Sequence, residues 1–498
     1  NIWLNEGFAT FYSRKYIENK FETDEGEYSR GGEIRSYFGS NARWRRPTVQ
    51  NHYYEPIDLF DGHVYAKGSL ILNMLQDHLG DDAFWRSIQH YTRSNKFKNV
   101  ETQDLKKAIE ETTGQNLDWF FRQWVYEAGY PEYGVKWSYN QRNRTVQLKI
   151  EQKHDLSKTK LFSMPVSVRI DDDLHTIWVD QKEMTYELPV DMRPKMVIFN
   201  AGMRIPCKVT FNKPLSEWIT QLEKGPHILD RIAAINVLKK KKGRRNVENA
   251  LLKAIGSDSF WGVRQEAVQG FASLRPKQHS EELMRLSEGQ DNRVRRAIWR
   301  ALKNYKDDPD VSIFLQNIIS TDTKYYSVSD AFRALVAIDT SAARKKVDVL
   351  LKRDSHQDVI RTAAISYYGS VRNDQNYERL KELASYGGTT WDARPEAVSQ
   401  LGRYIKDKKE TLAIFVDLLD DRSRDVRRRA IYALASHGNK DHLGHLDEVL
   451  SKDPALGREI RFARKRIISP PKKRPKTDME KELEEANKRI DEIKRILD

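Results

Sequence analysis

Two side chains near the start of the sequence are suited to chemistry by their type and surroundings. Glu6 stands in the segment Trp3–Ala9, and Tyr65 stands in Val64–Leu70, about sixty residues later. A carboxylate can bind a metal ion, although a glutamate at a helix start is more often an ordinary surface group. A phenol can donate a hydrogen bond to an oxyanion, although a tyrosine before an amphipathic helix is more often a packing residue. Taken singly, neither residue identifies a site.

Together, the two segments resemble motifs of the M1 zinc aminopeptidases, the aminopeptidase N-like gluzincins. Trp-Leu-Asn-Glu-Gly-Phe-Ala is similar to the segment that gives this family its third zinc ligand, which would be Glu6 here. Tyr-Ala-Lys-Gly is similar to the family's Tyr-x-Lys-Gly element, whose tyrosine binds the oxyanion and would be Tyr65. The resemblance implies one zinc ion, held by two histidines and a glutamate, and hydrolysis of the N-terminal residue from peptides.

The two histidines of that site are absent from this sequence. In the family they belong to an HExxH motif on the preceding helix, and none of the twelve histidines here lies in such a motif. We therefore expect the chain to be the C-terminal part of the enzyme, cut between the first two ligands and the third. By itself, it is expected to be inactive. The specificity pocket is mostly upstream too, so the sequence does not indicate which residue is cleaved.

Residues 1–132 are predicted to be the helical, C-terminal part of the gluzincin catalytic domain. Apolar side chains at helical spacing predict a helix over residues 69–79 that stops at Gly80, and another begins at residue 81. Two more helices are predicted around residue 105 and over residues 117–125. The sequence Gly129-Tyr130-Pro131 marks the first domain boundary, as the resembling family also suggests.

From about residue 133 the spacing of apolar residues changes from helical to alternating. Residues 135–139 and 146–150 flank a polar turn and predict a β-hairpin. Five comparable short strands follow before residue 212, separated by turn-forming residues. Seven or so strands in this length predict a small β-sandwich over residues 133–212, and the M1 aminopeptidases carry one at this point.

Residues 213–468 repeat with a period near 33, which predicts an α-solenoid of paired helices resembling HEAT repeats. Eight apolar residues hold equivalent places, and each is followed three or four residues later by an alanine. The repeating pairs are Leu229/Ala233, Val263/Ala267, Val294/Ala297, Val328/Ala331, Val359/Ala363, Ala393/Ala397, Val426/Ala430 and Ile460/Ala463. Because each repeat buries its apolar face only against its neighbours, the whole array should form a continuous core.

Charge is concentrated in the solenoid. The chain has a formal net charge of +14, and residues 213–470 hold 48 basic and 35 acidic side chains. Such a surface could attract an acidic protein partner, nucleic acid or an anionic membrane surface, although a solvated surface with no partner is the commoner case. The sequence gives no specific evidence for nucleic-acid binding, because the basic residues are not interleaved with aromatic ones.

Residues 469–498 form a basic, proline-rich linker followed by a short heptad helix. Residues 470–476 read Pro-Pro-Lys-Lys-Arg-Pro-Lys, and apolar residues then recur every three or four positions from Met479 to Leu497. Under three heptads is marginal for a coiled coil, so a weak dimer and docking of this helix elsewhere both stay open.

Two other classes of function remain open alongside the aminopeptidase. The chain could be a catalytically dead, aminopeptidase-like scaffold, as in a subunit of a general transcription initiation factor, or a HEAT-repeat interaction module. The single cysteine excludes an internal disulfide, and no apolar stretch has the length of a transmembrane helix. Cytoplasmic and exported locations are equally compatible with the sequence.

Overall fold

The computed structural model describes residues 1–275, 278–470, 485 and 489. The chain folds into two compact units, Asn1–Asn304 and Tyr305–Asp498. The architecture is multidomain and mainly helical, with a small β-sandwich, as the sequence predicted. None of the helices within the described ranges is both long and apolar enough to cross a membrane.

The first unit begins with helices packed around a buried aromatic and aliphatic core. Their bounds are α1 (Trp3–Phe21), α2 (Thr23–Arg43), α3 (Ala66–Leu79), α4 (Asp81–Ser94), α5 (Thr102–Thr113) and α6 (Asp118–Phe121), which continues into a π-helical turn, Arg122–Tyr126. Residues 66–76 of α3 are all buried, so this helix forms the centre of the group. The predicted stop at Gly80 is found, and its φ of +79° explains why glycine stands there.

Helix α2 is held to its neighbours by polar contacts as well as by apolar ones. The Arg14 Nε atom lies 3.1 Å from a Glu33 carboxylate oxygen, and both side chains are buried. Arg30 donates a hydrogen bond of 2.7 Å to the carbonyl oxygen of Gly202. Ile34 and Tyr37 complete the buried side of the helix. Because the sequence of α2 lacks a continuous apolar stripe, its pattern did not predict the helix.

A β-sandwich follows in the first unit. The described strands are β1 (Glu132–Asn140), β2 (Thr145–Gln152), β3 (Met164–Ile170), β4 (Asp173–Val179), β5 (Glu183–Pro189), β6 (Val197–Phe199) and β7 (Lys208–Asn212). They form a four-stranded sheet, in the order β5-β2-β1-β7, and a three-stranded sheet, in the order β4-β3-β6. Alternate residues of β3 are buried, from Met164 to Ile170, as expected for a strand with one face on a core.

Paired helices make up the rest of the first unit. They are α7 (Leu215–Lys224), α8 (Ile228–Leu238), α9 (Arg245–Ser257), α10 (Trp261–Leu274), α11 (Ser280–Leu286) and α12 (Asn292–Leu302). Helix α2 packs against this array through Tyr28, whose ring centroid lies 5.0 Å from that of Trp261. The Trp261 indole also donates a hydrogen bond of 2.6 Å to Glu25 of α2. The first repeats and the N-terminal helices therefore share one compact unit.

The second unit continues the helix pairs. Its described helices are α13 (Pro309–Thr321), α14 (Tyr325–Ile338), α15 (Thr340–Lys352), α16 (Val359–Ser370), α17 (Asp374–Ala384), α18 (Arg394–Leu401), α19 (Thr411–Asp417), α20 (Arg424–His437), α21 (Leu443–Lys452) and α22 (Gly457–Ile468). Buried or partly buried ion pairs link adjacent pairs of helices, since Arg394 Nη1 lies 3.0 Å from Asp421 and Arg427 Nη2 lies 2.7 Å from Asp453.

The predicted repeat period is found, with two differences in register. Most of the predicted apolar positions are fully buried, but Val359 is only partly buried and its neighbour Ile360 takes the core position. In the first repeat, Ala233 is partly exposed and Ala234 is buried. The predicted heptad helix lies, apart from Glu485 and Arg489, outside the described residues.

Candidate active site

Helices α1 and α3 cross at two glycines, and this crossing fixes the position of both candidate residues. A Cβ atom added to Gly7 would lie 2.8 Å from the Cα atom of Gly68, and the reverse substitution gives the same distance. Any larger residue at either position would collide with backbone. Glu6 directly precedes the first glycine, and Tyr65 lies one helical turn before the second. The two helices can therefore approach closely enough for these side chains to meet.

The structure brings Glu6 and Tyr65 together. Loss of solvent around the phenol raises the pKa of Tyr65, and the nearby Glu6 carboxylate raises it further. Glu6 is partly buried, whereas the Tyr65 side chain is 37% exposed and can be reached from solvent. A carboxylate oxygen and a phenolic hydroxyl thus share one open face of the helix pair.

A buried turn before α3 holds Tyr65 in place. One Asp61 carboxylate oxygen lies 2.6 Å from Arg46 Nη2, and the other lies 3.0 Å from His63 Nδ1. The Asp61 backbone carbonyl in turn accepts a hydrogen bond of 3.2 Å from the Tyr65 amide. Because both side-chain partners of Asp61 are themselves buried, the turn has little freedom to move.

Hydrogen bonds within this turn favour the charged form of Asp61. Burial alone would raise the pKa of Asp61, but the hydrogen bonds from His63 and the charge of Arg46 lower it overall. Burial lowers the pKa of the His63 ring, against the opposing effect of Asp61. None of these three residues was predicted from the sequence. The Asp-Gly-His sequence directly before the helix was the available signal, since aspartate and glycine favour turns.

Lys67, the lysine of the Tyr-x-Lys-Gly element, has a buried amino group. Its side chain is fully buried, and its Nζ atom lies 5.3 Å from the centre of the Tyr37 ring. Burial lowers its pKa to about 7, with a further contribution from the charges of Arg46 and Arg45. Its Nζ atom has no hydrogen-bond partner among the described residues. The motif contains this lysine, but the sequence pattern alone assigned it no role.

Helix α1 itself is anchored by its first tryptophan. The Trp3 indole is fully buried and donates a hydrogen bond of 2.9 Å to the Thr102 hydroxyl. Asn1 accepts from the same hydroxyl and from the Thr102 amide. The residues around Glu6 in its motif therefore serve to place the helix, and Glu6 is left to face outward.

One carboxylate does not make a complete metal centre. Within the described ranges, no group of three or more histidine, cysteine, aspartate or glutamate side chains is arranged to hold a metal ion. Glu6 fits the part of a single oxygen ligand, and the adjacent Tyr65 fits the part of a hydrogen-bond donor. The structure thus brings the predicted pair onto one face, and their roles as ligand and donor stay predictions.

Family models match both ends of the chain. Residues 1–124 match the peptidase family M1 domain, and residues 248–335 and 377–463 match HEAT repeats. The first match contains Glu6, the Gly7–Gly68 crossing and Tyr65, so all of the geometry described above falls inside it.

Several curated aminopeptidases are similar in sequence. A probable aminopeptidase 1 from Saccharolobus solfataricus is 27% identical over 210 residues, which are 40% of this chain and 26% of the relative. Aminopeptidase M1-A from Oryza sativa is 32% identical over 27% of this chain and 16% of its own length. A leucyl aminopeptidase from Saccharolobus solfataricus is 23% identical over 68% of this chain and 43% of its own length. The alignments thus cover less than half of each relative.

The fold is also similar to that of a solved structure. Legionella pneumophila aminopeptidase A, solved in complex with aspartic acid, matches with a TM-score of 0.61 at 16% identity. The match covers 92% of this chain and 58% of that chain. At this identity the likeness concerns the fold.

Proposed function

We propose that this chain, which joins a peptidase family M1 segment to HEAT repeats, is a portion of a zinc-dependent aminopeptidase that removes the N-terminal residue from peptides. The observation that carries the proposal is the meeting of Glu6 and Tyr65 across the Gly7–Gly68 crossing. Similarity to several aminopeptidases supports the same interpretation.

Glu6 would provide one of three protein ligands to zinc. Two histidines and one glutamate are a common ligand set for hydrolytic zinc, with a fourth position left open for water or substrate. In this proposal the two histidines are supplied by sequence beyond these 498 residues. The bound ion would polarise the scissile carbonyl and acidify a water molecule. Glu6 would hold and orient the zinc ion from a helix whose position is fixed by Trp3 and Gly7.

Tyr65 would donate a hydrogen bond to the oxygen that becomes negative in the transition state. Such a donor is useful when it is held in place before the reaction, because no reorganisation is then needed. The buried turn at Asp61 and His63 provides that fixation. The partly exposed phenol lies on the same open face as Glu6, where a peptide could reach both.

The 498-residue chain by itself is proposed to be inactive, because its sequence holds no HExxH motif and one carboxylate cannot retain zinc. The solenoid, with its excess of positive charge, would offer a surface to an acidic protein partner rather than take part in hydrolysis.

The test is a kinetic comparison in the native gene product that contains this chain. Replacing the phenol in Tyr65→Phe should lower kcat toward an aminoacyl anilide by about 10²–10³, with zinc content and KM nearly unchanged, since one oxyanion donor is lost. Tyr16→Phe is the matched control, because Tyr16 is 64% exposed on α1 and should leave kcat unchanged. Full activity of Tyr65→Phe would show that Tyr65 has no such role.

A further inference from the structure

The last described helix pair leaves two aromatic rings exposed side by side. Tyr432 on α20 is 39% exposed and Phe462 on α22 is 45% exposed, and their ring centroids lie 6.0 Å apart. We call these two residues the terminal aromatic face. Adjacent exposed aromatic side chains form an apolar surface, and covering such a surface is favourable because it removes apolar area from water.

Basic side chains surround this face. On α22, the basic neighbours of Phe462 at helical spacing are Arg458, Lys465 and Arg466, all exposed, and the Arg466 guanidinium lies 5.7 Å from the Phe462 ring centre. The fourth neighbour, Glu459, is partly buried and lies 3.8 Å from Arg428 of α20. None of the three basic neighbours makes an ion pair with another residue in the described part of the chain. The face is therefore apolar at its centre and positive at its edge.

The sequence that follows has the opposite charge and a matching apolar pattern. Residues 477–498 hold eight acidic and five basic side chains, and residues 478–485 alone hold five acidic and one basic. Its two described residues, Glu485 and Arg489, are helical, and Arg489 Nη2 lies 3.4 Å from a carboxylate oxygen of Glu485, one turn earlier. The sequence therefore favours an amphipathic helix with an acidic N-terminal half. Its apolar side chains recur at helical spacing at Met479, Leu483, Ala486, Ile490, Ile493 and Leu497.

The linker is long enough for this segment to return to α22. Residues 470–476 can span about 23–25 Å when extended. Helix α22, with its 12 residues, is about 18 Å long. A helix that turns back after the linker would bring its acidic first half to the end of α22, where Lys465 and Arg466 lie.

We propose that residues 477–498 dock as an amphipathic helix on the terminal aromatic face of the same chain. Its apolar side chains would cover Tyr432 and Phe462. Its acidic residues would lie against the basic rim, which consists of Arg458, Lys465 and Arg466. The seven-residue linker favours this arrangement over pairing with a second copy, because a short tether gives an effective concentration in the millimolar range. Fewer than three heptads give little stability to a free coiled coil.

Hydrogen exchange on the full chain tests this proposal. We expect amides of residues 477–498 to exchange at least about tenfold more slowly than in an unstructured peptide, independently of protein concentration, with light scattering reporting a monomer. The double variant Tyr432→Ser, Phe462→Ser should abolish that protection. Phe97→Ser is the control, because Phe97 is 96% exposed in the first unit and belongs to a different part of the fold.

A second variant guards against a folding defect in the double serine variant. Reversal of the rim charges, Lys465→Glu with Arg466→Glu, changes only exposed side chains and should also release the segment. Rapid exchange in the parent, protection that rises with concentration together with a dimeric mass, or protection that survives both variants would each overturn the proposal. The second of these results would identify a second copy as the true partner.

Discussion

Glu6 and Tyr65 owe their proximity to residues that carry no reactive group. Two glycines allow the helices to touch, and a buried turn at Asp61 fixes the backbone before Tyr65. The two motifs selected these residues through their resemblance to a known family, and the roles of metal ligand and oxyanion donor stay predictions. The motifs could not indicate Asp61 or the buried environment of Lys67, since burial of a polar side chain depends on contacts between distant segments.

Lys67 gives a prediction for the pH dependence of stability. Its pKa in the folded chain is about 7, below the ordinary value of 10.5, so between these values the unfolded chain binds a proton that the folded chain does not. The free energy of unfolding should therefore rise with pH across this window, and below it Lys67 should add no pH dependence. In Lys67→Met, the rise between pH 7 and 9 should be smaller than in the parent by on the order of 2 kcal/mol.

Denaturant unfolding of both proteins at each pH measures this difference. The comparison between parent and variant is essential, because burial also lowers the pKa of Lys213, to about 8, and that group contributes to both proteins equally. An identical rise in parent and variant would mean that Lys67 keeps its charge in the folded state.

At the scale of helices and strands, the predictable elements were those with a regular apolar pattern. The strands of the sandwich and the helices of the solenoid have one face on a core, which gives a period of two or of about 3.6. Helix α2 escaped prediction because it buries Arg30 and Glu33, and a polar residue gives no apolar signal. The predicted core position Val359 was wrong by one residue for a related reason. Val359 and Ile360 are both apolar, so the sequence does not say which of them is buried, and packing buries Ile360.

The crossing of α1 and α3 makes a prediction at this scale. Gly68→Ala would place a Cβ atom 2.8 Å from the Gly7 Cα atom, so the helices must separate, and we expect the free energy of unfolding to fall by about 1–3 kcal/mol. Gly39→Ala is the matched control, because Gly39 is helical and its added Cβ would meet open space. That change should raise stability by about 0.5–1 kcal/mol. Equal behaviour of the two variants in urea unfolding would refute the close crossing.

At the scale of the whole molecule, the compact units do not follow the division between β-sandwich and solenoid. The first unit holds Glu6 and Tyr65, the sandwich and the first repeats, and contacts such as that between Tyr28 and Trp261 join the N-terminal helices to the repeats. The sequence predicted the order of these parts but could not predict this joining, because it depends on side chains far apart in the chain. The proposed activity depends on the first unit, whereas the docking proposal concerns the second.

Zinc retention by the native gene product that contains this chain tests the central claim most directly. After dialysis, metal analysis should give about one zinc per chain in the parent and in Glu18→Gln, a control on α1 whose side chain pairs with Lys15. Glu6→Gln should lose both the zinc and the aminopeptidase activity. Full zinc content in Glu6→Gln, or a parent protein that retains no zinc, would contradict the assignment of Glu6 as a ligand.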